Sequence, residues 1–287
     1  MDKDAYKLKV YLDRLNTRYG KAYLPSDPLE FVHGYRTPED REVAGLIASS
    51  LAYGRVEGIR RSVGAVLGAM GKSPAAFAMR FDPARDRAAF AGFVHRFNRA
   101  ADIRCLVWFA RRMMEEAGSI GAFFTKGCPE GAEMKEALAA FSENVLGIGH
   151  GGAYPGRGLP KDAGVRFFFP SPKDGSACKR LNLYLRWMVR RGDALDFGIW
   201  KEVDPARLIV PLDTHIARIS SNLGLTKRST PGWKMAAEVT AALKRLDPHD
   251  PVKYDFALTR LGILAACPSR RDKEKCAACM IREVCVL

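Results

Sequence analysis

Ile209 to Arg218 reads I-V-P-L-D-T-H-I-A-R, an apolar run that passes through Pro211 into an aspartate opening a helix. The pattern places Asp213 at the N-cap. There its carboxylate can accept hydrogen bonds from first-turn amides, and the positive end of the helix dipole favours its charged form. A fixed, largely buried anion is a means of stabilising a developing cation. Asp is also a preferred cap in any helix, so the competing reading is a purely structural residue. Two further stretches bear on the choice.

One is the C-terminal end, where Cys267, Cys276, Cys279 and Cys285 are separated by eight, two and five residues. Four cysteines in one short loop, in a chain with a charged N-terminus and no secretory signal, read as a metal or cluster site rather than a disulfide framework. Structural zinc usually shows two C-x-x-C knuckles, and only one is present, so the spacing favours a [4Fe-4S] cluster with zinc as the alternative. Four unligated thiols at a Lys/Arg-rich terminus are the bland reading. The other stretch is G-S-A-C-K-R-L-N-L-Y-L-R-W-M, where Ser176 can cap a helix carrying Lys179 in its first turn and Leu181, Leu185 and Met188 on its apolar stripe. An ammonium near the positive end of a helix is destabilised, which suits an amine nucleophile. Against this, Lys179, Asn182, Arg186 and Arg190 recur at helical spacing and can form an ordinary solvated face.

The rest of the chain reads as all-α. Thr37-Pro38, Ser73-Pro74, Asp204-Pro205, Thr230-Pro231 and Asp250-Pro251 each put a capping side chain before a proline at the first helical position. From Thr37, Val43, Ile47 and Leu51 line one face until the helix stops near Tyr53-Gly54. The next helix carries Val56, Ile59, Val63, Leu67 and Met70 and closes at Gly71. Further helices are expected over about 84 to 97, 102 to 117 and 130 to 146. Residues 147 to 175 are rich in glycine and proline and read as a long loop, the kind that is usually functional or disordered. Arg157, Lys161 and Arg166 could follow a phosphate backbone, and Phe167 to Phe169 could pin the loop to the core. Its glycines follow no strand and precede no GK[ST], which excludes a nucleotide-binding loop. His33, His95, His150, His215 and Asp102 show no zinc-centre or triad spacing. Cys105, Cys128 and Cys178 read as free thiols, and Trp187, Trp200 and Trp233 as core.

The 287 residues suffice for one large or two intimate domains, and 46 Lys and Arg against 32 Asp and Glu give a net charge of +14. Such an excess implies a polyanionic partner, nucleic acid first. The basic residues are dispersed among acids, no apolar run is long enough to span a bilayer, and a cytoplasmic protein without a membrane partner is expected.

The cysteine quartet, the helix-opening aspartate and the lysine heading the preceding long helix together resemble the helix-hairpin-helix DNA glycosylase superfamily. The cysteine loop and P-L-D-T-H are similar to the endonuclease III branch, with the first gap lengthened to eight. L-I-A-S-S-L-A-Y-G-R-V-E, Leu46 to Glu57, is similar to an early helix of that branch and the DNA-wedging turn after it. The chain departs from the family in lacking L-P-G-V-G-x-K, for which it has P-S-P-K-D-G-S-A-C. The wide separation of Lys179 from Asp213 looks more like the archaeal 8-oxoguanine DNA glycosylases. The resemblance implies a two-domain glycosylase fold, with a helical-barrel-like domain over 37–190. The second domain would be built from 1–36 and 191–287 and would include the cluster loop 267–285. It implies a monomer that excises a damaged, oxidised base from duplex DNA, with Lys179 as Schiff-base nucleophile and Asp213 as its carboxylate partner. Tyr53 and Arg55 would form the wedge, and Arg270, Arg271 and Lys273 would meet the DNA backbone beside the cluster. The alternatives are a non-catalytic iron-sulfur or zinc DNA-binding protein, and a monofunctional glycosylase in which Asp213 activates water.

Overall fold

A computed structural model describes residues 3–264, 267–268 and 270–286. Its helices are, in chain order, α1 (Lys3–Arg18), α2 (Leu29–His33), α3 (Pro38–Ser50), α4 (Val56–Met70), α5 (Pro74–Arg80), α6 (Ala100–Ala117), α7 (Ile120–Lys126), α8 (Met134–Gly147), α9 (Lys179–Val189), α10 (Thr214–Asn222), α11 (Trp233–Lys244), α12 (Asp255–Ile263) and α13 (Lys273–Ala277). Strand among the described residues is confined to a small antiparallel hairpin of β1 (Val94–His95) and β2 (Asn98–Arg99). The protein is thus mostly helical. None of the described helices is long and apolar enough to cross a membrane.

Two compact units divide the chain, a central one over 24–174 and a terminal one built from 1–23 and 175–287. These boundaries differ from the sequence expectation of 1–36 and 191–287, because α9 belongs with the C-terminal helices. Its Arg186 is paired with Asp196 and Asp255, and its Arg190 with Asp193, Asp196 and Asp250, all downstream. The N-terminal helix joins the same unit through Asp13, which accepts a hydrogen bond from the Tyr254 hydroxyl at 2.8 Å and pairs with Lys253 at 3.2 Å.

Local capping explains which helices begin where the sequence placed them. The Thr37 hydroxyl accepts from the Asp40 amide and the Ser73 hydroxyl from the Ala76 amide, each with proline at the first helical position. Asp204 caps only one 3-10 turn, Pro205–Arg207. After Thr230-Pro231 the helix waits until Trp233, behind Gly232, and after Asp250-Pro251 a turn delays α12 to Asp255. The helix expected over 84 to 97 does not form. Asp82 instead accepts from the amides of Ala84 and Arg85 at 2.9 and 2.8 Å, a local alternative to helical bonding, and the chain passes through a 3-10 turn into the hairpin.

Of the 147–175 stretch, residue 147 closes α8, and residues 148–174 form a loop with two short 3-10 turns that is held closely within the central unit. The Trp108 indole donates to the Gly149 carbonyl at 3.1 Å, and Gly151, at φ 56, lies so near that ring that an added Cβ would come within 2.5 Å of it. Phe168 and Phe169 are buried as pinning residues, whereas Phe167 is exposed. Arg166 is committed to the carbonyls of Pro160 and Leu159, so it braces the loop from inside and is not available to a phosphate.

Candidate functional site

Asp213 occupies the N-cap of α10, half-buried, its Oδ1 accepting from the Ile216 amide at 2.8 Å. This leaves Oδ2 outside the cap geometry. Lys179 is the first residue of α9 and is half-buried. The cap of α9 is not Ser176. Its hydroxyl accepts from the Cys178 amide at 3.1 Å, one residue early, and Cys178 itself takes the cap position with φ 47 and ψ 37. A left-handed backbone is uncommon for a non-glycine residue, and it persists only where the surroundings hold it.

The face of α9 that sequence periodicity presents as solvated is buried. Asn182, Arg186 and Arg190 are 1%, 2% and 5% exposed. Buried guanidinium groups need partners, and both arginines find theirs in carboxylates beyond the helix. Arg190 Nε donates to both oxygens of Asp250 at 3.0 and 2.8 Å, and its Nη1 to Asp196 at 3.0 Å. Arg186 joins Asp196 at 3.3 Å to Asp255. Sequence reasoning missed this network: Asp250 and Asp255 lie far from α9 along the chain, and Asp193 and Asp196 follow it in an irregular stretch that helical spacing does not reach.

Lys179 and Asp213 therefore share the terminal unit, each at the N-terminal end of a helix, and both helices are braced on α12. For α9 the link is Arg186 to Asp255. For α10 it is direct packing, in which Gly262 of α12 lies so close to His215 that an added Cβ would be 2.5 Å from its ring and Cβ. Asp255 is the electrostatic centre of this arrangement. Burial pushes its carboxyl up to about 6, Arg186 opposes the shift, and the nearby charge of Asp213 adds to it. Its Oδ1 is buried without a hydrogen-bond partner.

The four C-terminal cysteines line one cavity of about 210 Å³, with Asn222, Arg271 and Arg282 also on its wall. Backbone bonds tie this loop to the rest of the unit. The Cys267 amide donates to Leu261 O at 2.9 Å, Arg218 donates to Cys267 O at 2.8 Å, and the Val286 amide donates to Asn222 O at 2.7 Å. Burial pushes the Cys267 and Cys279 thiols up, while Arg218 pulls Cys267 down. Among the described residues no three His, Cys, Asp or Glu side chains are placed to hold a metal ion. Arg270, Arg271 and Lys273 are exposed on the same loop, Asp272 capping α13 between them.

In the central unit, Arg55 is exposed and Tyr53 is not a free wedge. The Tyr53 hydroxyl donates to His95 O at 3.0 Å and is bonded to Asn98, and the ring touches His95, Phe97 and Phe167. His95 and Asp102, which show no zinc-centre or triad spacing in the sequence, belong to this network. His95 joins Ser62 at 2.9 Å and Tyr53 O at 3.0 Å, and Asp102 accepts from Asn98 and from the Tyr154 hydroxyl of the long loop at 3.0 and 2.5 Å.

Over residues 27–264 the chain matches a family model described as Protein of unknown function (DUF2400). The chain belongs to this family. The matched span includes Lys179, Asp213 and the Arg186–Asp255 pair and ends before Cys267. Comparison with curated proteins and with solved structures gives no match.

Proposed function

We propose that this chain is a DNA glycosylase that removes an oxidised base and cleaves the strand through a Schiff base on Lys179. The observation that carries the reading is the placement of Lys179 behind a strained non-glycine residue, in the same braced unit as Asp213. Strained backbone of this kind clusters at functional sites, and the α12 brace with its Arg186–Asp255 pair fixes the starts of two helices that carry an amine and a carboxylate.

In the reaction, the amine nitrogen of Lys179 bonds to C1′ of the damaged nucleotide while the C1′–N bond breaks. The electron pair leaves with the base, which takes up a proton. The sugar gains oxocarbenium character in the transition state, and the Asp213 carboxylate stabilises that charge and receives the proton the amine gives up. Opening of the C1′–O4′ bond gives the Schiff base, from which loss of a C2′ proton expels the 3′ phosphate. The base must leave the stack to be reached, at a cost of a few kcal/mol that is smallest for a damaged base.

Cys267, Cys276, Cys279 and Cys285 would hold a [4Fe-4S] cluster. The single C-x-x-C pair favours a cluster over structural zinc, which usually shows two such knuckles, and the four thiols line one cavity. The cluster supplies no step of the excision; it would fold the loop that carries Arg270, Arg271 and Lys273 toward phosphates. The net charge of +14 supports a polyanionic substrate.

The test is base release from duplex oligonucleotides carrying single lesions, oxidised purines first. Wild-type protein should free the base, and Asp213→Asn should not, although the amide can still cap α10. Equal release by both would remove Asp213 from the chemistry. Base release by Lys179→Gln without strand cleavage would point to the monofunctional reading.

A further inference from the structure

The central unit carries an aromatic surface for which the excision chemistry has no use. Val94 pairs with Arg99 and His95 with Asn98, so Arg96 and Phe97 are the whole turn of the hairpin. Two-residue hairpin turns require positive φ and are usually built with glycine, asparagine or aspartate. Here Arg96 takes φ 55, a poor choice of residue for folding alone. The turn projects Phe97, which is 52% exposed, beside Phe167 from the long loop, 36% exposed. Their ring centroids are 4.6 Å apart at an interplanar angle of 80°.

The two rings stand on a rigid base. Both touch the Tyr53 ring, at 5.6 and 4.9 Å between centroids, and the Tyr53 hydroxyl is held by His95 O and Asn98. Asn98 is fully buried and donates to Asp102 at 3.0 Å and to Gly164 O at 2.9 Å, locking the loop of Phe167 to the hairpin of Phe97. Arg96 and Arg99 are exposed on the same hairpin, and Arg55 is exposed two residues along the chain from Tyr53. Arg96 lies over Gly54, and the Arg99 guanidinium donates to Arg96 O at 3.1 Å. Exposed rings on a fixed base with guanidinium groups at the margin are how proteins hold an unstacked base and its phosphates, because every base has a π-face.

We propose that Phe97 and Phe167 form a stacking platform for an unpaired base of a DNA strand, with Arg55, Arg96 and Arg99 on its phosphates. The choice of DNA rests on the glycosylase reading; the platform itself rests on the rings and arginines. The experiment uses the full chain and a single-stranded oligonucleotide with one 2-aminopurine, followed by fluorescence and by anisotropy against salt. Wild type should quench the probe. Phe97→Ala and Phe97→Leu should weaken binding about 5- to 100-fold and abolish the quench, while Phe97→Trp should retain both. Arg96→Gly should raise the melting temperature by relaxing the turn and reduce the slope of log affinity against log salt by about one. Salt-dependent binding that is unchanged in Phe97→Ala and Phe97→Leu would overturn the platform and leave the glycosylase reading standing. Platform binding without base release from any lesion duplex would overturn the glycosylase reading and leave the platform. Absence of DNA binding by wild type would overturn both.

Discussion

Replacing Asp255 with asparagine gives a stability change whose sign depends on pH. Asp255 is 2% exposed, its Oδ2 is paired with Arg186, and its Oδ1 has no partner. Burial pushes the carboxyl up to about 6 from an ordinary value of 3.8. Between those values the folded protein holds a proton that the unfolded chain has released. Stability from this group is therefore greatest near pH 4, falls as pH rises toward 6, and is level above that. A gap of about two units corresponds to about 3 kcal/mol across the window. Asparagine is neutral throughout and close in shape, so Asp255→Asn lacks this dependence. Urea unfolding of both proteins from about pH 4 to about pH 7 should show the variant's deficit shrinking by about 2–3 kcal/mol as pH rises. Other carboxyls titrate in both proteins and largely cancel in the difference. Asp196, which burial also pushes up, gains more of Arg186 in the variant and shifts the difference in the same direction. A deficit that stays constant or grows with pH would refute the reasoning, since Asp255 would then be ionised against Arg186 throughout.

Three further outcomes follow from the same unit. Asp213→Ala should cost about 1 kcal/mol in thermal or denaturant unfolding by removing the cap on the Ile216 amide, while Asp213→Asn should cost little. Gly262→Ala forces a Cβ to within 2.5 Å of His215 and should destabilise by about 1–3 kcal/mol; a neutral result would mean that α10 and α12 do not pack so closely. Anaerobically purified protein should be brown with about four irons per chain, and Cys279→Ser should lose that iron; colourless protein with one zinc would give the cavity to zinc instead.

The parts of the fold that sequence disclosed were those written within three or four residues. Thr37, Ser73 and Asp213 cap amides three positions on, so a side chain and the start of an apolar stripe suffice to place them. The start of α9 was legible as a position but not as a mechanism, because nothing local marks Cys178 for a left-handed backbone. Arg186 and Arg190 look solvated in a helical projection, and only the acids brought in from Asp193 to Asp255 show that the face is buried. The same acids move the domain boundary to 174/175. Aspartate at position 82 turned an apparent helix into a turn by offering its own carboxylate to two amides. The Phe97–Phe167 surface could not be read at all, since its rings come from a hairpin and a loop that are brought together by tertiary contacts of Asn98, Tyr53 and Tyr154.

The central claim is that Lys179 is the nucleophile, and borohydride trapping tests it most directly. Reduction converts a Schiff base into a stable amine, so wild-type protein mixed with duplex DNA carrying an oxidised purine should yield a covalent protein–DNA adduct. Lys179→Gln should give no adduct while binding the same duplex with nearly unchanged affinity. An adduct that persists in Lys179→Gln would assign the chemistry to another amine, Lys173 or Lys161 of the long loop being next to test. Neither adduct nor base release from wild type with its cluster intact would contradict the enzyme reading itself.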